Sequence, residues 1–308
     1  MCGIVGFTAE YLDPASARQT VKAMAELIRH RGPDGEGYYA DTRAALGHRR
    51  LSIIDVNGGG QPMFNEDGTL VVVFNGELYN YKPLRAELRR LGHTFATDSD
   101  TEVLLHGYEA WGAALPRHLR GMFAFALWDR TAGTLFCARD LFGIKPLYYY
   151  QKGACLLFAS EIKAFLAHPA FEKQLNEARL PDWLSMEYLP DRETLFAGVY
   201  ELPPAHTLCW QNGRVSLQRY AAPRFRVQRG RSLRSWAQAM LWRTAPPPTA
   251  LRMWRSGAFS PAGWIPRWSC VRRRATSLRY SAFRSAIGRK NIPSCPPPAR
   301  QRRRWACP

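Results

Sequence analysis

Residues 1–220 are predicted to form an α+β layered fold with antiparallel sheets, and three observations carry that expectation. Short apolar, β-branched runs bounded by Gly, Asn or Asp recur at 2–8, 70–74, 122–128, 134–138, 147–151 and 155–159. Stretches with helical apolar spacing stand at 14–28, 81–91 and 101–111. Runs of strands set apart from runs of helices favour antiparallel layers over alternating strand–helix units.

Each element has a local reason. Cys2 to Thr8 is a short apolar run punctuated by Gly3 and Gly6. Asp13 stands where an N-cap is needed and Pro14 at the first helical position, so a helix is expected from Pro14 to Ile28. His30-Arg31-Gly32-Pro33-Asp34-Gly35 reads as a loop from its breakers. Leu70 to Phe74 (LVVVF) reads as a buried strand ending at Asn75-Gly76, and helices follow at Tyr81–Leu91 and Thr101–Trp111. The strands from Met122 to Ala159 are expected in meander-like succession. No segment repeats at a fixed period.

The net charge of +18 is unevenly distributed. Residues 1–220 hold 23 Lys+Arg against 25 Asp+Glu, whereas residues 221–308 hold 20 Lys+Arg and no acidic residue. Six of the ten tryptophans fall in this second part, among Pro246-Pro247-Pro248 and Pro296-Pro297-Pro298, with no helical or strand period. We expect 226–308 to be a disordered basic tail, 211–225 a linker, and 2–210 the folded domain. Arg272-Arg273-Arg274 and Arg302-Arg303-Arg304 with interleaved Trp would suit RNA phosphates and bases, but high-GC codons read out of frame yield Arg, Pro, Ala and Trp for no functional reason, which makes nucleic acid the lesser reading. No run of 18 apolar residues marks a membrane span, no basic leader precedes an apolar stretch, and seven irregularly spaced cysteines give no disulfide framework. These features place the expected home in the cytoplasm, with no membrane partner and no metal site.

The chemistry concentrates at the front. A Cys directly after Met1 permits removal of Met1, which leaves a thiol beside its own α-amine. That amine, with a pKa of roughly 7.7–8.0, can act as base for thiol attack on a carbonyl. The resulting oxyanion needs preorganised donors, and Asn75-Gly76 can offer a side-chain amide and a backbone N–H. Cys137, Cys155 and Cys209 read as packing residues. By residue type alone Arg50 also reads as a surface arginine, Asp100 as an N-cap and Asn75-Gly76 as a turn.

A chain of segments tips this balance: MCGIVGF at 1–7, RHRGPDGEG at 29–37, GHRRLSIID at 47–55, QPM at 61–63, FNGELYNY at 74–81, SDTEVLLHGY at 99–108, GMFAFALWD at 121–129, RDLFGIKPLYY at 139–149, ASEIKAF at 159–165 and LPPAH at 202–206. In this order they resemble the class II glutamine amidotransferases of the N-terminal nucleophile hydrolase group, and within it glutamine-dependent asparagine synthetase. The resemblance implies a four-layer αββα sandwich that hydrolyses glutamine to glutamate and ammonia. It implies Cys2 as nucleophile, Asn75 and Gly76 as oxyanion hole, and Arg50 on the substrate α-carboxylate. Leu51, Ser52, Ile53 and Ile54 would supply substrate-facing main chain, Glu77 would lie alongside, and Asp100 would pair with the α-ammonium. His30 and His48 are read as structural.

The family joins this half to a domain that uses ATP and Mg to amidate aspartate, with the signature SGGxDSS; this sequence has none. The glutaminase half needs no cofactor. Read one base out of phase, Trp264-Ile265 forces Asp and Met253-Trp254 forces Val, in surroundings that permit the family's ATP-loop sequence. The tail is therefore expected to be an out-of-frame synthetase sequence, leaving only glutaminase activity. An inactive frameshifted fragment, a free-standing glutaminase subunit for another amidotransferase, and a homodimer are the alternatives it leaves open.

Overall fold

The computed structural model describes residues 1–52 and 59–223. The chain divides into Met1–Pro247 and Pro248–Pro308, and the second unit lies wholly outside the described residues, as do the tail expected at 226–308 and the candidate residues Ile53 and Ile54. Among the described residues no helix is long and apolar enough to cross a membrane.

Two six-stranded antiparallel sheets face each other. The first runs β10 (Val199–Glu201), β8 (Tyr148–Lys152), β9 (Cys155–Ala159), β1 (Gly3–Thr8), β3 (Ala44–Arg50), β2 (Gly35–Ala40). The second runs β12 (Arg214–Arg219), β11 (His206–Gln211), β7 (Thr134–Arg139), β6 (Gly121–Asp129), β5 (Leu70–Leu78), β4 (Met63–Phe64). Side-chain alternation sorts the core into three layers. Ile4, Leu46, Val71, Val73, Trp128, Phe158 and Trp210 fill the space between the sheets. Val5, Phe7 and Ala45 turn the other way, onto α1 (Pro14–Glu26). Val72, Phe74 and Phe125 turn onto α2 (Tyr81–Arg90) and α3 (Glu102–Trp111). The expected four-layer αββα sandwich is the observed one, with a short α4 (Leu180–Met186) beside it.

Several expected elements stand where local chemistry placed them. Asp13 caps α1, its Oδ2 accepting from the Ser16 N–H at 2.9 Å, with Pro14 opening the helix. Others differ for physical reasons. The expected meander is split, because β6 and β7 belong to one sheet and β8 and β9 to the other. β5 does not stop at Asn75-Gly76 but runs on to Leu78, pairing Asn75 with Ala124 and Gly76 with Phe123. Glycine is required there: a Cβ on Gly76 would lie 2.3 Å from the Met122 carbonyl oxygen. The boundary expected at 210 cuts through a hairpin, since β12 pairs along β11 and extends the sheet to Arg219, inside the stretch expected as a linker. Strand β2 also escapes the sequence patterns because glycine interrupts it. A Cβ on Gly37 would stand 2.0 Å from the Gln61 carbonyl oxygen, so glycine lets that segment approach.

Candidate active site

The ends of β1, β3 and β5 meet between the sheets. Ile4 faces the inter-sheet core, so Cys2, two residues earlier, is aimed at the same gap. On the neighbouring strand Ala44, Leu46 and His48 share that face, and Arg50 continues it. On β5 the face of Val71 and Val73 continues through Asn75 to Glu77. His48, opposite Ile4, ties the two sheets at this point by donating Nε2–H to the Phe74 carbonyl at 3.2 Å. Burial holds its imidazole neutral, with its pKa pushed down to about 3 and the Arg50 charge acting in the same direction. His48 is thus a structural tie, and His30 is a surface residue bonded to Glu161 at 2.9 Å.

The Cys2 sulfur is held by one backbone unit. Leu51 N–H donates to Sγ at 3.4 Å, and Sγ lies 3.5 Å from the Leu51 carbonyl. Arg31 fixes the residue from the other side, donating Nε–H to the Cys2 carbonyl at 3.0 Å while its Nη1 pairs with Glu161 at 2.9 Å. Burial pushes the Cys2 thiol up, and the Leu51 N–H, the chain's terminal amine, Arg50 and Lys145 all oppose that rise. Asp34 builds the adjoining turn, its N–H donating to the Arg50 carbonyl at 3.0 Å and its Oδ2 accepting from the Ser52 N–H at 2.9 Å. Gly32 admits β3 so closely that a Cβ there would lie 2.4 Å from the Arg49 carbonyl carbon. The segment RHRGPDGEG is therefore a brace for the sulfur and for residues 50–52.

Asn75 is buried, and among the described residues its Nδ2 has no hydrogen-bond partner. An unmet buried donor costs about 1–3 kcal/mol, so it calls for an explanation in function. Gln61 fixes the strand beside it, accepting from the Phe74 N–H at 2.6 Å and donating Nε2–H to Thr101 Oγ1 at 3.2 Å. Asp100 is buried next to that bridge, but it does not cap α3 with its side chain; its Oδ2 accepts from the Leu78 N–H at the end of β5, at 2.9 Å. Glu77 is half-buried, its carboxyl raised by burial and opposed by the Lys145 charge. Cys2, Arg50, Leu51 and Ser52 thus come from one sheet, Asn75, Gly76 and Glu77 from the other, and Asp100 joins the second group.

Burial raises the Asp100 carboxyl to about 6, the Glu77 charge acting in the same direction and the Leu78 N–H opposing it. A carboxyl raised on folding contributes stability that is complete below its unfolded value of about 3.9 and lost as pH climbs through about 6. Asp100→Asn keeps an acceptor for Leu78 and removes that loss. The variant is expected to be more stable than its parent at about pH 8 by roughly 2–3 kcal/mol, with the gain vanishing below about pH 4. Urea unfolding at the two pH values measures it, and equal stability at the higher pH would contradict it.

Among the described residues, His93, His106 and Glu109 bring imidazole and carboxylate atoms within 4.8 Å of one another. Their capacity is already used. Glu109 Oε2 accepts from His106 Nδ1 at 2.9 Å and lies 3.1 Å from His93 Nδ1, and Oε1 accepts from Asn65 Nδ2 at 2.8 Å. With Phe95 set edge-on to the His106 ring at 4.6 Å, the group clamps α3 to the segment before it.

Residues 1–221 match the family of the glutamine amidotransferase domain. The chain belongs to that family. As a glutamine amidotransferase it is 40% identical over 225 residues to asparagine synthetase [glutamine-hydrolyzing] 3 of Bacillus subtilis (strain 168), which covers 71% of this chain and 36% of that protein. It is 44% identical over 167 residues to asparagine synthetase B [glutamine-hydrolyzing] of Escherichia coli (strain K12), covering 54% and 30%. The chain spans about a third of the length of these curated relatives. Its fold is also that of the glutamine phosphoribosylpyrophosphate amidotransferase of B. subtilis, solved with ADP and GMP, at a TM-score of 0.54 and 21% identity, covering 71% of this chain and 49% of that one.

Sequence reasoning missed Arg31, Asp34, Gln61 and Lys145, which contact or adjoin the candidate residues. All four lie inside the segments that carry the resemblance, and their partners only become visible once the strands are paired.

Proposed function

We propose that this chain is a glutaminase in which Cys2, freed of Met1, is the nucleophile and its own α-amine the base. The observation that carries the reading is that the Cys2 sulfur, seated on the Leu51 N–H, and buried Asn75, whose Nδ2 has no partner among the described residues, lie on faces of the two sheets that look into the same gap. The amine takes the thiol proton, and the sulfur attacks the side-chain carboxamide carbon of glutamine. A C–S bond forms and the carbonyl oxygen becomes an oxyanion, received by Asn75 Nδ2 and the Gly76 N–H. Collapse breaks the C–N bond, and the amine returns the proton to departing ammonia. Water, deprotonated by the same amine, then cleaves the thioester to glutamate and restores the thiol.

Arg50 suits the α-carboxylate because its planar fork donates to two oxygens at once. Asp100, with Glu77 beside it, suits the α-ammonium, which would restore the Asp100 carboxylate its burial disfavours. Leu51 and Ser52 supply main chain along the substrate. The thiol, amine and two donors provide nucleophile, base and oxyanion hole, so this half-reaction uses no cofactor. ATP, Mg and aspartate belong to the remaining length of the asparagine synthetases, and no step here passes through them.

The test is glutamate release by the full chain without ATP. One glutamate per ammonia is expected, with no asparagine formed when aspartate and Mg–ATP are added. A chain that has lost Met1 and releases no glutamate would sink the proposal.

A further inference from the structure

Lys145 is a buried ammonium at the mouth of the gap, delivered by the turn between β7 and β8. That turn is built around Asp140, which is wholly buried. Asp140 Oδ1 accepts from the N–H groups of Phe142 and Ile144 at 3.0 Å each, and Oδ2 accepts from the N–H of Lys145 at 3.0 Å. The Lys145 carbonyl is held in turn by Arg139 Nε at 2.8 Å, and Arg139 also reaches the carbonyls of Leu202 and Gly143. Both backbone groups of Lys145 are therefore fixed by buried charged side chains, and its side chain runs from a rigid base.

The tip of that side chain meets the start of the chain. Nζ donates to the Met1 sulfur at 3.2 Å. A thioether is a weak acceptor, and burying an ammonium against one is unfavourable unless the charge is used elsewhere. The charged groups around it come from four directions: Cys2 and the terminal amine, Arg31 from the turn after α1, Glu77 from β5, and Asp140 from its own turn. Burial is the largest influence on all three groups, raising the Cys2 thiol and lowering the terminal amine and Lys145; the Lys145 charge opposes the rise of the thiol and, with Arg31, adds to the lowering of the amine. Asp34 acts on that amine in the opposite sense, and Arg50 acts on the thiol in the same sense as Lys145. Removal of Met1 takes away the sulfur that Nζ now touches and brings the chain's first amine one residue closer to the thiol.

We propose that Lys145 is a positioning residue whose buried ammonium, set by the Asp140 turn, eases ionisation of the Cys2 thiol and keeps its α-amine unprotonated, ready to take the thiol proton, in the processed enzyme. The proposal rests on Cys2 being the nucleophile. It explains how one residue can serve as both nucleophile and base near neutral pH: a single fixed cation favours the ionised form of the one and the unprotonated form of the other.

The test compares the full chain with Lys145→Met, Lys145→Gln and Lys145→Arg. The readout is the pH dependence of Cys2 alkylation by iodoacetamide, followed on the Cys2 peptide by mass. Loss of the charge should move the inflection up by about one pH unit or more in both neutral variants, while Lys145→Arg stays with the parent. The low-pH limb of glutaminase kcat/KM should move in the same direction, because the amine regains its proton more readily. An unmoved alkylation inflection in either neutral variant overturns the proposal, as does an equal shift in Lys145→Arg, which would make shape and not charge the cause. Alkylation reports the thiol alone. A parent chain that alkylates normally but releases no glutamate would therefore overturn the glutaminase reading and leave the Lys145 result standing.

Discussion

Cys2→Ala is expected to lower glutamate release by about 10⁴-fold or more, because it removes the nucleophile and leaves only binding and oxyanion stabilisation. Fold and stability should be nearly unchanged. Cys2 precedes β1, is only partly buried, and contributes no side chain to the layer of Ile4, Val71 and Val73. Cys137 provides the contrast. Its thiol is wholly within that layer and raised by burial far above the usual thiol range. Cys137→Ala should therefore cost stability, by about 1–2 kcal/mol for the lost packing, and leave turnover per folded molecule intact. The pair separates chemistry from packing within one residue type, by glutamate assay and urea unfolding. A Cys2→Ala chain that retained measurable glutamate release would place the nucleophile elsewhere.

Asn75→Ala is the second large effect. Loss of one preorganised oxyanion donor typically costs 10²–10³-fold in kcat, or about 2.7–4 kcal/mol of transition-state stabilisation. The structural argument adds a second, independent expectation. A buried amide that serves the fold is hydrogen-bonded, and truncating it destabilises the protein. The Asn75 Nδ2 is buried with no partner among the described residues, so removing it relieves an unmet donor. Asn75→Ala should therefore lose turnover while losing little or no stability. KM for glutamine should change less than kcat, because the charge this donor meets develops only in the transition state. A variant that unfolds readily but keeps kcat in its folded fraction would show that the amide serves the strand instead.

The layered fold was legible where local chemistry acts alone. The Asp13–Pro14 start of α1, the β-branched run at 70–74 and the helical spacing at 102–111 needed no tertiary information. What escaped was set by close approach between distant segments. Gly76 reads as a turn residue and Gly37 carries no strand signal, yet both stand inside strands because another backbone passes where a Cβ would be. The β11–β12 hairpin had a readable signal that went unused: Asn212 and Gly213 both take positive φ, 49° and 77°, the form an Asn-Gly hairpin turn favours.

The candidate residues divide in the same way. Cys2, Asn75 and Asp100 were visible as motif positions, and strand alternation now explains why Cys2, Arg50, Asn75 and Glu77 share one gap. The supporting residues were not visible. Arg31, Asp34 and Gln61 act through hydrogen bonds to backbone far along the chain, and Lys145 through a turn fixed by buried Asp140. Residues 53–58 and 224–308, including Ile53, Ile54 and the basic segment, lie outside the described residues.

The most direct test of the central claim is to treat the purified full chain with a glutamine analogue carrying a reactive diazoketone in place of the carboxamide, then locate the adduct by mass. The account predicts one label per chain, on a peptide that begins at Cys2 with Met1 absent, and glutamate release falling in proportion to labelling. An active chain that keeps Met1, or one inactivated by label at any other residue, would contradict it.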